Sequence, residues 1–230
     1  MSRVYRRLQQ DELTRKYEVA PAYHTRIRDG IQTISKEDFK TVFYFIKNPL
    51  LSSKTKENAF IVVNRTLWTN NKAFKSGLAN ENTCPYCNEI ETMEHLLANC
   101  DAYSYSRWEN LGRTIKQTLR TLLDNAIFQF DITYNSIFFH KEAEFSNVKL
   151  VPTPVRQTIQ LLIHETRRDI YLKRQQDPEG QRNVNPQFRI MAHIASTTKK
   201  VMQFLKYLSA IRWSQALSFL DMLHTNAFSI

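Results

Sequence analysis

Apolar residues along this chain recur at helical spacing much more often than they alternate. The clearest run is Phe39, Val42, Phe43 and Ile46, at i, i+3, i+4 and i+7; it follows a capping-box-like start at Ser35 and Asp38 and is ended by Asn48-Pro49. An earlier helix is predicted over Arg3 to Glu18, stopped by Ala20-Pro21, and a third over Lys54 to Trp68. Trp68 and Phe74 match an apolar face and are expected as core contacts rather than stacking platforms. Ser104 to Leu123 reads as an amphipathic helix with Trp108, Leu111, Ile115 and Leu122 on one face. Ile127 to Phe139, aromatic and β-branched, fits a short strand or a short helix, and Glu142 to Val151 reads as a linker. Thr153-Pro154 and Asn185-Pro186 each offer an N-cap followed by proline at the first helical position, where its missing amide costs nothing. Gln175 to Asn185 between those helices reads as a turn or loop. With only four glycines and seven prolines in 230 residues, the expected fold class is mainly α.

The candidate chemistry interrupts this helical pattern at one place. Cys84, Cys87, His95 and Cys100 fall in the spacing Cys-x2-Cys-x7-His-x4-Cys, and the chain has no other cysteine. Three thiolates and an imidazole suit one tetrahedral Zn²⁺, and four filled positions leave none for a reactive water, so the expected metal is structural. A disulfide framework wants an even cysteine count in a secreted chain, and this chain has three and starts without an apolar signal segment. Three buried structural cysteines with a chance histidine would explain the residues but not their spacing. A zinc deaminase would need a glutamate two residues after the histidine and the cysteine pair later; here Glu94 precedes His95 and the pair comes first. Within the motif, Asn88 suits a left-handed turn after the second cysteine and Thr92 a helix N-cap. On a regular helix His95 and Cys100 would lie roughly 140° apart, so the helix must end near Asn99 for both to reach one metal.

Charge changes where a partner would be sought. The net charge of +10 and pI near 9.6 fall in the range of nucleic-acid-binding chains, and 42% hydrophobic content without a membrane-length stretch predicts a globular, intracellular protein, nuclear or cytoplasmic and not secreted. The surplus is uneven: +4 over residues 1 to 50, +3 over 51 to 83, −3 over 84 to 100, zero over 101 to 150 and +6 over 151 to 230. The cysteine loop is therefore a poor phosphate contact, and it either braces the surrounding helices or touches bases or a partner from inside a basic frame. The two C-terminal helices carry the candidate nucleic-acid residues: Arg167, Tyr171 and Arg174 on one stripe beside Arg168 and Lys173, and Lys199, Lys200 and Lys206 near Tyr207. Such rows can pair phosphates and stack a base, and an ordinary solvated face has the same composition. His24, His140, His164, His193 and His224 read as structural, and His164-Glu165 lacks the nucleophile or second carboxylate that catalysis would need.

Phe39, Phe43, Asn48-Pro49-Leu50, Lys54, Leu67-Trp68-Thr69-Asn70, Gly77, Cys84-Pro85-Tyr86-Cys87, Glu91-Thr92, His95-Leu96, Cys100 and Trp108 together resemble the zinc-binding region of non-long-terminal-repeat (LINE-like) retrotransposon reverse transcriptases. The resemblance is most specific over residues 39 to 108, and extends more weakly to Glu165–Tyr171 and from Met191 onward. In that family the region lies downstream of the polymerase and is associated with binding the element's RNA or target DNA. The resemblance implies the metal ligands Cys84, Cys87, His95 and Cys100 and no catalytic residue. It organises the chain as a basic helical segment 1–38, a zinc-binding domain 39–125, a connector 126–151 and a basic helical region 152–230. No Asp-Asp pair for polymerisation occurs, and the Pro-Asp of the related nucleases appears only reversed, as Asp177-Pro178. The expectation is a non-enzymatic, zinc-stabilised module for RNA or DNA, without a small-molecule substrate. The alternatives are an extension that docks on a polymerase domain, or an inactive fragment of a decayed element.

Overall fold

The computed structural model describes Ile46 and residues 51–123, 129–139, 143–146, 151–177, 199 and 214–228, all within one compact unit, Tyr44–Ile230. The helices expected over Arg3 to Glu18 and from Ser35 onward, apart from helical Ile46, lie outside these residues, as does the Asn185-Pro186 start. The described residues are mainly helical. In chain order they form α1 (Ser53–Val63), α2 (Asn70–Lys75), two successive π turns (His95–Asn99 and Asp101–Tyr105), α3 (Ser106–Leu122), β1 (Phe130–Asp131), α4 (Tyr134–Phe139), β2 (Glu144–Phe145), α5 (Thr153–Gln176) and α6 (Ser214–Phe228).

The boundaries of α1 and α2 follow from backbone chemistry at their ends. Ser52 caps α1, its hydroxyl accepting from the Thr55 amide at 3.1 Å, and Thr69 caps α2, accepting from Lys72 N at 3.4 Å. Each helix closes in a Schellman motif. After α2, Leu78 N donates to Ala73 O (2.8 Å) and Gly77 N to Phe74 O (3.0 Å), with Gly77 at φ 69°. After α1, Thr66 N donates to Ile61 O (2.9 Å) and Arg65 N to Val62 O (3.0 Å), with Arg65 itself left-handed at φ 53°. The expected helix over Lys54 to Trp68 therefore stops five residues early, at Val63. That ending leaves Trp68 on the connection to α2. Trp68 and Phe74 are 49% and 47% exposed, which overturns their expected place in the core.

Further along, α3 matches its expected amphipathic face, burying Trp108, Leu111, Ile115 and Leu119, with Leu119 taking the place expected of Leu122. The ambiguous run resolves into both alternatives: β1 pairs antiparallel with β2, Phe130 opposite Phe145, and α4 follows. The expected linker is thus partly packed, with Ala143 and Val151 buried. In α6, Ala216, Phe219, Leu220 and Leu223 form one buried face at i, i+3, i+4 and i+7, which packs on α3 and α5.

Helix α5 is the centre of the arrangement, in contact with α1, α4, α6 and the first π turn. Its N-cap lies one residue before the expected Thr153, at Pro152, with no side-chain capping bond. From Thr158 to His164 every residue is buried, the signature of a helix surrounded on all sides rather than one with a basic outer stripe. Arg167 is fully buried: its Nε donates to Asn58 Oδ1 (3.2 Å) on α1 and its Nη1 to the Ile137 carbonyl (2.8 Å) on α4. Burial pushes the guanidinium down to about 9, against an opposing pull from Glu165, and it stays charged at neutral pH. Arg167 is therefore a strut joining three helices and not a surface phosphate contact. Replacing it with alanine strips two buried acceptors of their donor and opens a cavity, so Arg167→Ala is expected to lower stability by roughly 3 kcal/mol. Arg168→Ala, partly exposed next door, is expected to stay within about 0.5 kcal/mol. Denaturant midpoints of the two variants distinguish a strut from a solvated stripe.

Candidate metal centre

Cys84 and Cys87 are presented by a tight hairpin. Thr83 and Ile90 bridge its base, Cys84 N donates to Glu89 O (2.6 Å), and Asn88 N returns to Cys84 O (2.8 Å). The return requires a left-handed residue, and Asn88 supplies it at φ 64°, as its position in the motif predicts. The other two ligands come from the turn that follows. Thr92 caps it, accepting from His95 N at 3.1 Å. From His95 the backbone then takes a π turn, with Cys100 N donating to His95 O at 2.9 Å, five residues back. The wider turn brings residue i+5 over residue i and removes the angular mismatch of a regular helix. The turn ends at Asn99, and Cys100 is extended (φ −74°, ψ 106°) where the two π turns meet. Ser104 Oγ locks the junction, accepting from Cys100 N (3.2 Å) and donating to His95 O (3.3 Å).

The four donor atoms lie within 4.8 Å of one another. Cys100 Sγ is 3.8 Å from both Cys84 Sγ and Cys87 Sγ, and His95 Nε2 is 3.2 Å from Cys87 Sγ. A tetrahedron with metal–sulfur arms of about 2.3 Å has edges of about 3.8 Å, whereas a disulfide would need about 2.05 Å. The donor set and its spacing thus fit Zn²⁺. His95 Nδ1 faces Glu89 Oε2 at 3.2 Å, which leaves Nε2 toward the sulfurs and fixes the ring as metal-binding histidines usually are. Burial pushes the Cys87 thiol up. Cys84, to which Cys100 donates, is drawn down to about 4, and donating to Cys84 holds Cys100 well above the usual thiol range. Without a cation only one of these neighbouring sulfurs ionises readily.

The loop is tied to the helices by polar contacts that its composition does not announce. Glu91, 1% exposed, accepts from Asn70 N at the start of α2 (2.8 Å) and from Arg174 Nε near the end of α5 (2.7 Å). Tyr86, between the paired cysteines, stacks on Tyr103 with ring centroids 4.5 Å apart. Its hydroxyl donates to Asp177 at 3.2 Å, beyond the end of α5. Tyr103 in turn donates to Ile170 O (2.8 Å) and carries the Arg107 guanidinium over its ring at 4.1 Å. Burial pushes the Tyr103 phenol up to about 12, so it remains a donor. Glu94 pairs with Arg65 at 3.0 Å. All three carboxylates of the acidic loop therefore have partners inside the protein.

The candidate nucleic-acid residues separate into three groups. Arg167 and Arg174 are buried in helix-joining contacts, which removes them from the surface. Arg168, Tyr171 and Lys199 reach solvent in part or fully, with Arg168 facing Glu165 at 3.4 Å. Lys200 and Lys206 lie outside the described residues. Tyr86, Glu89 and Glu91 are the site residues to which ligand spacing assigns no role; Tyr86 and Glu91 stand among the residues that carry the resemblance, and the signal for Glu89 is the charge of −3 over the loop. His164 is buried on α5.

Residues 17–108 match the family model described as zinc-binding in reverse transcriptase, a span that holds all four donors and ends at Trp108. This part of the chain is similar to the zinc-binding regions that the family model describes. Neither a curated protein nor a solved structure matches the chain.

Two outcomes follow from the geometry. Cys87→Ser or His95→Ala is expected to lower the zinc-to-protein ratio, and hydrogen exchange is expected to lose protection in α5 together with the loop, because Tyr86 and Glu91 transmit the loss. Zinc titrated into lightly buffered metal-free protein at pH 7 is expected to release protons from Cys87 and Cys100, both held protonated without it, so apparent affinity rises with pH.

Proposed function

We propose that the chain is a non-catalytic module in which one structural Zn²⁺, held by Cys84, Cys87, His95 and Cys100, shapes a surface that binds RNA or DNA. When bound, the metal supplies a closed tetrahedral link and no open coordination position. The chain's own residues do the rest. Glu89 orients His95, Tyr86 and Glu91 fasten the loop to α2 and α5, and lysine and arginine side chains elsewhere meet phosphates. The observation that carries this reading is the internal pairing of Glu89, Glu91 and Glu94 in a chain of net charge +10. Glu91 and Glu94 spend their charge on arginines of the fold while Glu89, largely exposed, faces the ring of a ligand, and the basic surplus is left to the rest of the surface. The reverse-transcriptase region agrees with an origin in a LINE-like element, and the missing Asp-Asp pair agrees with a module that does not polymerise.

A second reading, an extension that docks on a polymerase domain, draws on the exposed side chains of Leu78 (73%) and Ile90 (54%). The two readings differ in salt response. Binding of the zinc-loaded chain to RNA or DNA is expected to weaken with a log–log salt slope steeper than about −3, the signature of several phosphate contacts. Absent or salt-insensitive binding to both nucleic acids would remove the first reading and leave the second.

A further inference from the structure

Three sulfurs meet at the metal centre, and they are not equally placed. Cys84 and Cys100 are sealed in the core at 1% and 0% exposure, and the His95 ring is buried beside them. Cys87, on the outer part of the hairpin, is only partly covered, so its sulfur is the donor that a small molecule in solvent reaches first. As a metal ligand each sulfur is held as thiolate, the nucleophilic form, and access then decides which one reacts. The next sulfur is close behind. Cys100 Sγ lies 3.8 Å from Cys87 Sγ, and closing that gap to the roughly 2.05 Å of a disulfide needs a shift of about 1.8 Å. Cys84 stands at the same 3.8 Å from Cys100, but that pair is shut away from solvent. Glu89, largely exposed two residues beyond Cys87, sets a negative charge at the rim, which favours a neutral reagent over an anionic one.

We propose that Cys87 is an oxidation site: hydrogen peroxide oxidises its thiolate, Cys100 closes a disulfide on it, and the metal and the loop's hold on α5 are lost together. The inference goes beyond the nucleic-acid reading and rests on it only for the presence of zinc. The Cys87 sulfur attacks one oxygen of the peroxide; the O–O bond breaks, hydroxide leaves, and Cys87 becomes a sulfenic acid. The Cys100 thiolate attacks that sulfur; the S–O bond breaks, a second hydroxide leaves, and the S–S bond forms. Two thiolates have given up two electrons, and one peroxide has taken them. Cys84 and His95 remain, half of a four-coordinate set and too few to retain zinc. Tyr86 and Glu91, which tie the loop to Asp177 and Arg174, then lose the frame that positions them. A thiol reductant supplied with zinc restores the site, because a disulfide lies on the reversible part of cysteine oxidation.

The test uses the full zinc-loaded chain. With substoichiometric N-ethylmaleimide, peptide mass spectrometry is expected to find Cys87 labelled roughly tenfold or more above Cys84 and Cys100. With hydrogen peroxide, a chromophoric chelator is expected to register loss of the zinc, and peptide mapping a Cys87–Cys100 bridge. Hydrogen exchange is expected to lose protection in the last turns of α5, and reductant with zinc to restore it. Cys87→His keeps four donors without an oxidisable sulfur at the rim and is expected to slow peroxide-driven zinc loss roughly tenfold, whereas Cys84→His leaves it near the wild-type rate. Where either variant fails to load zinc, the wild-type labelling and mapping decide. First labelling at Cys84 or Cys100, a Cys84–Cys100 bridge with Cys87 free, or zinc retained through peroxide treatment would overturn the inference and leave the zinc reading standing. A chain that holds no zinc before treatment removes that reading, and this inference with it.

Discussion

Three sulfurs crowded around one point are tolerated in a protein only as neutral thiols or around a cation. Here Cys84, Cys87 and Cys100 meet with 3.8 Å edges, and an imidazole nitrogen completes the figure. Besides that cluster, the loop that brings them together is held by the polar ties of Tyr86 and Glu91 and by buried Leu96 and Leu97. Its hairpin half offers two large side chains, Tyr86 and Ile90, of which Ile90 points to solvent. The π turns are intrinsically unfavourable backbone that persists where something at their centre compensates. A bound metal of the kind these donors fit contributes folding free energy directly, of order 10 kcal/mol in comparable sites.

The cluster's influence reaches α5 through a short chain of contacts. Tyr86 reaches Asp177, Tyr103 reaches Ile170, and Glu91 meets Arg174, so three separate points of the loop region grip the last turns of one helix. The Glu91–Arg174 pair contributes little net stability, because two charges lose their hydration to form it. Its effect is selective: either partner left alone in that site would cost about 3 to 5 kcal/mol, so only one docking of α5 against the loop is permitted. Arg167 acts likewise farther along the helix, toward α1 and α4. The zinc-binding region and the central helix are thus parts of one core, although some fifty residues separate Cys100 from α5.

Local features were legible in the sequence and long-range ones were not. The four donors, the left-handed Asn88, the Thr92 cap and the end of the turn at Asn99 follow from residue types within a few positions of each other. The buried face of α3 follows from periodicity. Arg174 looked like a phosphate contact because a helical wheel treats an arginine the same way whether its counter-ion is solvent or a glutamate 83 residues earlier. Arg167 misled for the same reason. Trp68 reads as a core residue because it flanks the cysteine loop and matches an apolar face; the left-handed residue that ends α1 before it is Arg65, a type with no turn preference. The π turns leave no compositional trace at all. What the spacing did show was that a regular helix could not bring His95 and Cys100 together.

These corrections move the electrostatics of the surface. With Arg167 and Arg174 inside, α5 offers solvent Arg156, Arg168 and Lys173 against Glu165 and Asp169, and the latter two acids pair with Arg168 and Lys173. Exposed pairs of this kind are worth little and screen one another, so this helix is close to neutral toward a distant anion. On the proposed reading, attraction of a polyanion therefore comes from basic stretches of the chain other than α5. The part of α5 that remains is geometric: through Arg174, and through Asp177 just past its end, it keeps the cysteine loop in place. A helix whose sequence reads as a basic surface is the beam to which the cysteine loop, α1 and α4 are fastened.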